Sequence, residues 1–272
     1  MSLFHPNKDI MMSKGKLWLC TLFLAGFWSC SDDSENINEE ITTEDISNVH
    51  SIDESSSTFM DAITISNDIL ADAEVINGRI QQCYAVSETQ NQNQLLVSFE
   101  AECEGSDGKV RSGSFLIEWS GSLETQDFMY TLSFDDYSVD GYGIVGSTTV
   151  SNLTFKENGF GFNVVIDNGL VDCPDGKQIN YEQDFNYDFT FGELTEIKIT
   201  GSTNGQGKEG NSYTANIKDP LVIVSNCEYA VAGSFEATFN GRPPVTVDYG
   251  DGSCDNKATA SRGDLSTTFE LD

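Results

Sequence analysis

Basic side chains are scarce: the 272 residues hold 14 Lys and Arg against 44 Asp and Glu, a net charge of −30. Neutralising a phosphate backbone needs clustered Lys and Arg, so a nucleic-acid binder acting alone is excluded. The same shortage excludes a polybasic patch as the means of holding an anionic membrane. Histidine is scarcer still, with only His5 and His50, and neither lies in the stretch 59–272 that is expected to carry the fold. Ser-His-Asp and Cys-His catalysis and His-ligated zinc are therefore excluded from that stretch. Long hydrophobic runs are also missing. The longest, Leu17 to Trp28, has 12 residues, whereas a helix needs about 20 to cross the hydrocarbon of a bilayer.

What is present begins with an export signal. Lys14 and Lys16 precede the apolar run, which ends in Phe27-Trp28-Ser29-Cys30, the pattern of a lipoprotein signal peptide over residues 1–29, with Met11 or Met12 as an alternative start. A small residue followed by Cys is what lipoprotein signal peptidase reads, so Cys30 is predicted to be the lipidated (palmitate-bearing) first residue of the mature chain. From Cys30 to Thr58 the chain carries nine acidic residues and no Lys or Arg. Such a stretch buries too little apolar surface to offset its ordering entropy, and residues 30–58 are expected to be a disordered, solvated tether. The acyl chains, not a basic surface, would then hold the protein to the membrane.

From Phe59 to Ile76, Phe59, Ile63, Ile69, Ala73 and Ile76 recur near helical spacing, predicting one short amphipathic helix. After Asn77-Gly78 the pattern is of strands. Apolar and polar residues alternate in 114–120, 129–134 and 196–200, and Asp107-Gly108, Asp140-Gly141, Asn158-Gly159, Asn168-Gly169, Asp175-Gly176 and Asn240-Gly241 read as hairpin turns. The expected fold of 59–272 is therefore all-β, with antiparallel long hairpins. A two-layer sandwich is the expected arrangement, because large aromatics at alternating positions need a facing layer.

In an antiparallel hairpin the numbers of opposed residues have a constant sum. Cys227 with Cys254 is symmetric about Asn240-Gly241, and Cys83 with Cys103 about Asn93. Both pairs are predicted to be disulfides, in keeping with an exported, oxidising location. Cys173, beside Pro174-Asp175-Gly176, has no partner in this arithmetic and is expected to be a free thiol. Pro243-Pro244 removes ladder donors after the second turn, which predicts a shifted register there. Cys83-Tyr84-Ala85-Val86 and Cys227-Glu228-Tyr229-Ala230-Val231 also resemble one another, as an internal duplication would.

Ser31-Asp32-Asp33-Ser34-Glu35 after the lipobox is similar to the export signal of surface lipoproteins in Bacteroidota, flavobacteria especially, with Ser31, Asp32, Asp33 and Glu35 as its signal residues. The segments 134–141, 146–152 and 247–258 resemble a recurrent lipoprotein family of that phylum, over nearly the whole mature chain. The resemblance implies an outer-membrane, lipid-anchored protein facing the cell surface, and brings no catalytic residues.

Searching for chemistry yields little. Gly141, Gly143 and Gly146 match a dinucleotide fingerprint but follow a turn and lead into a strand pattern, not a helix. Arg262-Gly263-Asp264 reads as a turn, not as an adhesion tripeptide. Asp248, Asp251, Asp255 and Asn256 are candidate oxygen ligands for calcium, without EF-hand spacing, and no other cofactor is expected. The expected function is non-enzymatic binding of a glycan or an envelope protein. The alternative is a carboxylate-based glycan hydrolase, which needs an aromatic cleft with two facing acids.

Overall fold

The computed structural model describes residues 40–71, 83–123 and 125–271. The signal peptide, Cys30 and the export residues Ser31, Asp32, Asp33 and Glu35 lie outside the described residues, as do 72–82, which include the end of the predicted helix and Asn77-Gly78. Among the described residues one helix, α1 (Thr43–Ala71), precedes thirteen strands: β1 (Tyr84–Glu88), β2 (Gln94–Glu104), β3 (Val110–Ser120), β4 (Met129–Val139), β5 (Tyr142–Lys156), β6 (Gly159–Asp172), β7 (Gln178–Thr190), β8 (Glu196–Gln206), β9 (Ser212–Val224), β10 (Ala232–Phe239), β11 (Val245–Asp251), β12 (Lys257–Arg262) and β13 (Leu265–Glu270). All form one antiparallel sheet in which each strand pairs with its neighbours in the chain.

The strands do not divide into two sheets, so the expected sandwich is replaced by one curled sheet on a helix. The facing layer that the inward aromatics require is supplied by α1. From β3 to β13 a flat sheet would take ten steps of about 4.8 Å, whereas a helix with its side chains is only about 10 to 12 Å across. Yet Asp61 of α1 binds Arg111 of β3, and the His50 ring meets Phe269 of β13 at 5.7 Å. Only a sheet rolled around the helix satisfies both contacts.

Bulges produce the roll. The ladders shift register beside Gly113, Asp136, Gly146, Asn168, Gly201 and Gly233, all with positive φ, in the interiors of β3, β4, β5, β6, β8 and β10. A bulge bends its strand and raises the local twist, and a series of them coils a sheet. Asn168-Gly169, expected to be a hairpin turn, is one of these bulges. A Cβ on Gly169 would lie 2.3 Å from the Tyr181 carbonyl oxygen and 3.1 Å from the Phe59 ring of α1, so the missing side chain lets helix and sheet close together.

The helix starts far earlier than Phe59. Thr42 Oγ1 accepts the Asp45 N–H at 3.2 Å while Asp45 Oδ2 accepts the Thr42 N–H at 2.8 Å, a reciprocal capping box. Residues 43–58, expected to belong to the solvated tether, are therefore helical, and Val49, Ile52, Ser51, Ser55 and Thr58 among them are buried. The folded unit accordingly begins well before 59 and takes in the whole of α1. A helix this polar can be buried because its hydroxyls bond back to carbonyls one turn earlier: Ser51 to Ser47, Thr58 to Glu54 and Ser66 to Ala62 at 2.6 to 3.0 Å. Phe59 supplies the apolar contact, its ring 5.8 Å from that of Phe134 and 6.0 Å from that of Tyr181.

Two charged anchors fix the helix. Arg111 Nε and Nη2 donate to the two Asp61 carboxylate oxygens at 2.8 and 2.7 Å, and the Tyr137 hydroxyl donates to Oδ2 at 2.7 Å. At the other end Arg262 donates to both Asp45 oxygens at 3.1 and 3.2 Å and Arg242 adds a third bond at 3.2 Å. Asp45, Asp61, Arg111 and Arg262 are all buried. Arg262 thus points inward, and Gly263-Asp264 turns β12 into β13, as a turn reading of that tripeptide requires.

The structure joins Cys83 to Cys103 and Cys227 to Cys254, with Cα atoms 5.4 and 5.7 Å apart, and leaves Cys173 a buried free thiol. The registers differ from those inferred. Tyr84 faces Phe99, so Cys83 and Cys103 are not directly opposed, and Cys227 and Cys254 sit in the loops outside β10 and β11. Around Pro243-Pro244 the ladder pairs Ala237 with Val245, one residue off the symmetric register. The internal duplication is not matched in structure, since Tyr84-Ala85-Val86 opens β1 whereas 229–231 precede β10 as a loop.

Removing one member of a buried ion pair leaves the other charged and desolvated, at a cost of about 3 to 5 kcal/mol. Arg111→Ala is expected to lower unfolding stability by that amount in urea titration. Lys109→Ala, which removes a half-exposed partner 3.2 Å from the same carboxylate, is expected to cost under about 1 kcal/mol.

Candidate functional site

Between α1 and strands from both ends of the sheet, β1 to β3 and β7 to β11, lies a cavity of about 720 Å³, within the range of small-molecule sites. One wall is a face of the helix, with Asp53, Ser57, Met60, Thr64 and Asp68. The facing wall follows from strand register. Phe189, Ile197 and Ile223 oppose one another across β7, β8 and β9, and Tyr187, Ile199 and Leu221 form a parallel row. Directly opposed residues share a face of the sheet, so each row is a continuous apolar rib.

The first rib continues outward. Phe189 is paired with Phe160 on β6, ring on ring at 4.6 Å, and Phe160 with Phe155 on β5, whose side chain is 60% exposed. Phe191 and Leu194, in the neighbouring β7–β8 turn, are exposed as well. An apolar track thus leads from the surface to the cavity. Tyr84 of β1 and Leu271 just after β13 also line it, which places the cavity where the two ends of the sheet come near each other without pairing.

The polar groups on the helix wall are held in different ways. Asp61 is bound by Arg111, which also bonds Asp107. Burial alone would raise the Asp61 carboxyl, but the Arg111 and Tyr137 hydrogen bonds and the nearby Lys109 outweigh it and hold the group below the usual carboxylate range. The Arg111 bond brings Asp107 down to about 2. Glu54 meets Lys208 Nζ at 2.6 Å and accepts the Tyr142 hydroxyl at 3.0 Å. Asp53 instead receives the Tyr249 hydroxyl at 3.1 and 3.3 Å. Enclosure pushes Asp53 up to about 7; the Tyr249 bond works against the rise and the neighbouring Glu54 charge adds to it.

The residues that sequence reasoning proposed for ligands do not meet at this cavity. Asp248, Asp251 and Asp255 each accept the backbone N–H two residues on, at 2.7, 3.3 and 3.0 Å, and so serve as turn formers in and after β11. Asn256 gives its carbonyl to the Leu271 N–H. Among the described residues no three acidic, His or Cys side chains gather as a metal-holding group, and no helix is long and apolar enough to cross a membrane. Gly141, Gly143 and Gly146 lie in the β4–β5 turn and in β5, with no helix after them. Asp53 and Glu54 fall within the stretch 30–58 expected to be the tether, so the sequence reading does not mark them. The signal that would have found them is Thr42-Thr43-Glu44-Asp45 followed by Ile46, Val49, Ile52 and Phe59 at helical spacing.

The chain matches no family model, no curated protein and no solved structure. The class of protein is therefore defined by its own geometry: a curled antiparallel meander around a helix, with an apolar cavity between them.

The Asp53 environment makes a signed prediction. A carboxyl raised from 3.8 to about 7 binds its proton more tightly in the folded state, so its contribution to stability is full below the unfolded value and is lost as pH rises through the folded one. Asp53→Asn keeps an acceptor for Tyr249 and removes this loss. The variant's stability relative to wild type is expected to improve steadily from pH 4 to pH 8 in thermal unfolding. The carboxylates of Asp45 and Asp61 titrate with the opposite sign, are common to both proteins and cancel. A difference independent of pH would refute the assignment.

Proposed function

We propose that the chain is a non-enzymatic lipoprotein of the cell envelope, of the kind that Bacteroidota display at their surface. Lipid on Cys30 holds it at the outer membrane, and its folded domain binds an amphipathic small molecule in the cavity beside α1. The observation that carries the binding role is the pair of apolar ribs facing the helix across about 720 Å³. Apart from the Tyr187 hydroxyl, which accepts from Gln183, the Phe, Ile and Leu of the ribs offer no partners for the hydroxyls of a glycan, whose burial without hydrogen bonds is costly. The site therefore favours an apolar body over a glycan, one of the two partners expected from sequence.

Glycan hydrolysis is less well supported. It needs two carboxyl groups on opposite sides of a bond, and four of the acids at the cavity, Asp53, Glu54, Asp61 and Asp68, project from the single helix. Asp61 and Asp107 are committed to Arg111, and Glu54 to Lys208.

Two measurements test this reading. Labelled palmitate is expected to enter the wild-type chain in cells and not Cys30→Ala; label in the variant would refute the anchor. The neutral dye N-phenyl-1-naphthylamine is expected to brighten on saturable binding to the purified protein, and Ile197→Asp, which places a charge on the rib, is expected to weaken that binding at least tenfold. No saturable binding would refute the cavity as a ligand site.

A further inference from the structure

We propose that the cavity selects a cationic amphiphile, an amine carried on an alkyl or aryl body, with its ammonium group against Asp53. This rests on the reading of the cavity as a ligand site and adds the chemistry of the ligand's head.

The balance of fixed charge around the cavity is the first ground. Its lining includes Asp53, Glu54, Asp61, Asp68, Asp107 and Glu228 against Lys109 and Arg111. Both of these cations bind Asp61, and Arg111 binds Asp107 as well. Glu54 has Lys208. Among the described residues no ion pair engages Asp53, Asp68 or Glu228. The cavity thus presents a surplus of negative charge beside apolar walls, where an anionic head such as a fatty-acid carboxylate is repelled and a cation is attracted.

The second ground is the position of Asp53. Tyr249 holds its carboxyl by one hydroxyl shared over both oxygens at 3.1 and 3.3 Å, which leaves acceptor capacity on a carboxylate that can take about four hydrogen bonds. The Tyr249 ring lies 6.1 Å from that of Phe235, and both line the cavity. The Asp53 carboxyl thus lies at the edge of an aromatic pair, next to the apolar wall. Phe235 is paired with Ile217 on β9, so the apolar wall begins next to the head-group position and runs on to Leu221 and Ile223. Head and body are thus recognised by adjoining parts of one surface.

The full-length chain, loaded with N-phenyl-1-naphthylamine at pH 7.5, is titrated with decylamine, decanol and decanoate. Decylamine is expected to displace the dye at a concentration at least tenfold lower than either of the others. In Asp53→Asn that advantage is expected to fall about tenfold while displacement by decanol changes less than twofold. Dye binding with equal displacement by amine and alcohol, or an amine preference unchanged in Asp53→Asn, would overturn the head-group assignment alone. Failure of the dye and of all three amphiphiles to bind would overturn the cavity reading and this proposal with it.

Discussion

The bond between Asp61 and Arg111 is the constraint on which the rest of the architecture turns. Burying the Asp61 carboxylate in its charged form is costly unless a cation is delivered to it, and bringing the start of β3 against α1 delivers Arg111. Arg262 does the same for Asp45 from β12. One helix is thereby tied to strands near opposite ends of a thirteen-stranded sheet, and the sheet has to roll. Buried pairs of this kind add little net stability over a well-packed apolar substitute. Their effect is on placement: a shift of α1 would part Asp61 from Arg111 and Asp45 from Arg262.

Much of the β architecture was legible in the residues. Alternation and the Asp-Gly and Asn-Gly pairs marked the strands, and the free position of Cys173 and both disulfide partners followed from counting about turns. Cys83 and Cys103 are joined across a register that does not oppose them, and Asn168-Gly169, chemically identical to a turn, is a bulge. A dipeptide that tolerates positive φ reports only that the backbone bends; whether it reverses or merely coils depends on strands far away. The same limit hid the single-sheet topology, since aromatics at alternating positions ask for cover without saying whether a sheet or a helix provides it.

The helix was the larger miss, and the candidate site went with it. Residues 43–58 carry so many acids and serines that composition pointed to solvent, whereas the capping pair Thr42 and Asp45 and the spacing of Ile46, Val49 and Ile52 pointed to a helix. Composition averages over a segment; burial is decided by where individual partners lie. Asp45 has Arg262, 217 residues away in the chain, and Asp53 has Tyr249, 196 residues away. No local window contains both members of either pair.

Those separations have a temporal side. The helix is made before every strand of the sheet, and its anchor at Asp45 cannot close until β12 exists. The strands meanwhile pair with immediate neighbours and assemble locally as they appear, whereas contacts of long sequence separation form late because their loop closure is costly. Until β12 is in place the Asp45 end of α1 lacks its arginine. A strongly apolar helix would be a hazard of aggregation through that interval. Ser47, Ser51, Ser55, Ser56, Ser57 and the helix carboxylates make this one tolerable in solvent, and only the completed curl, with its arginines in place, turns it into the core.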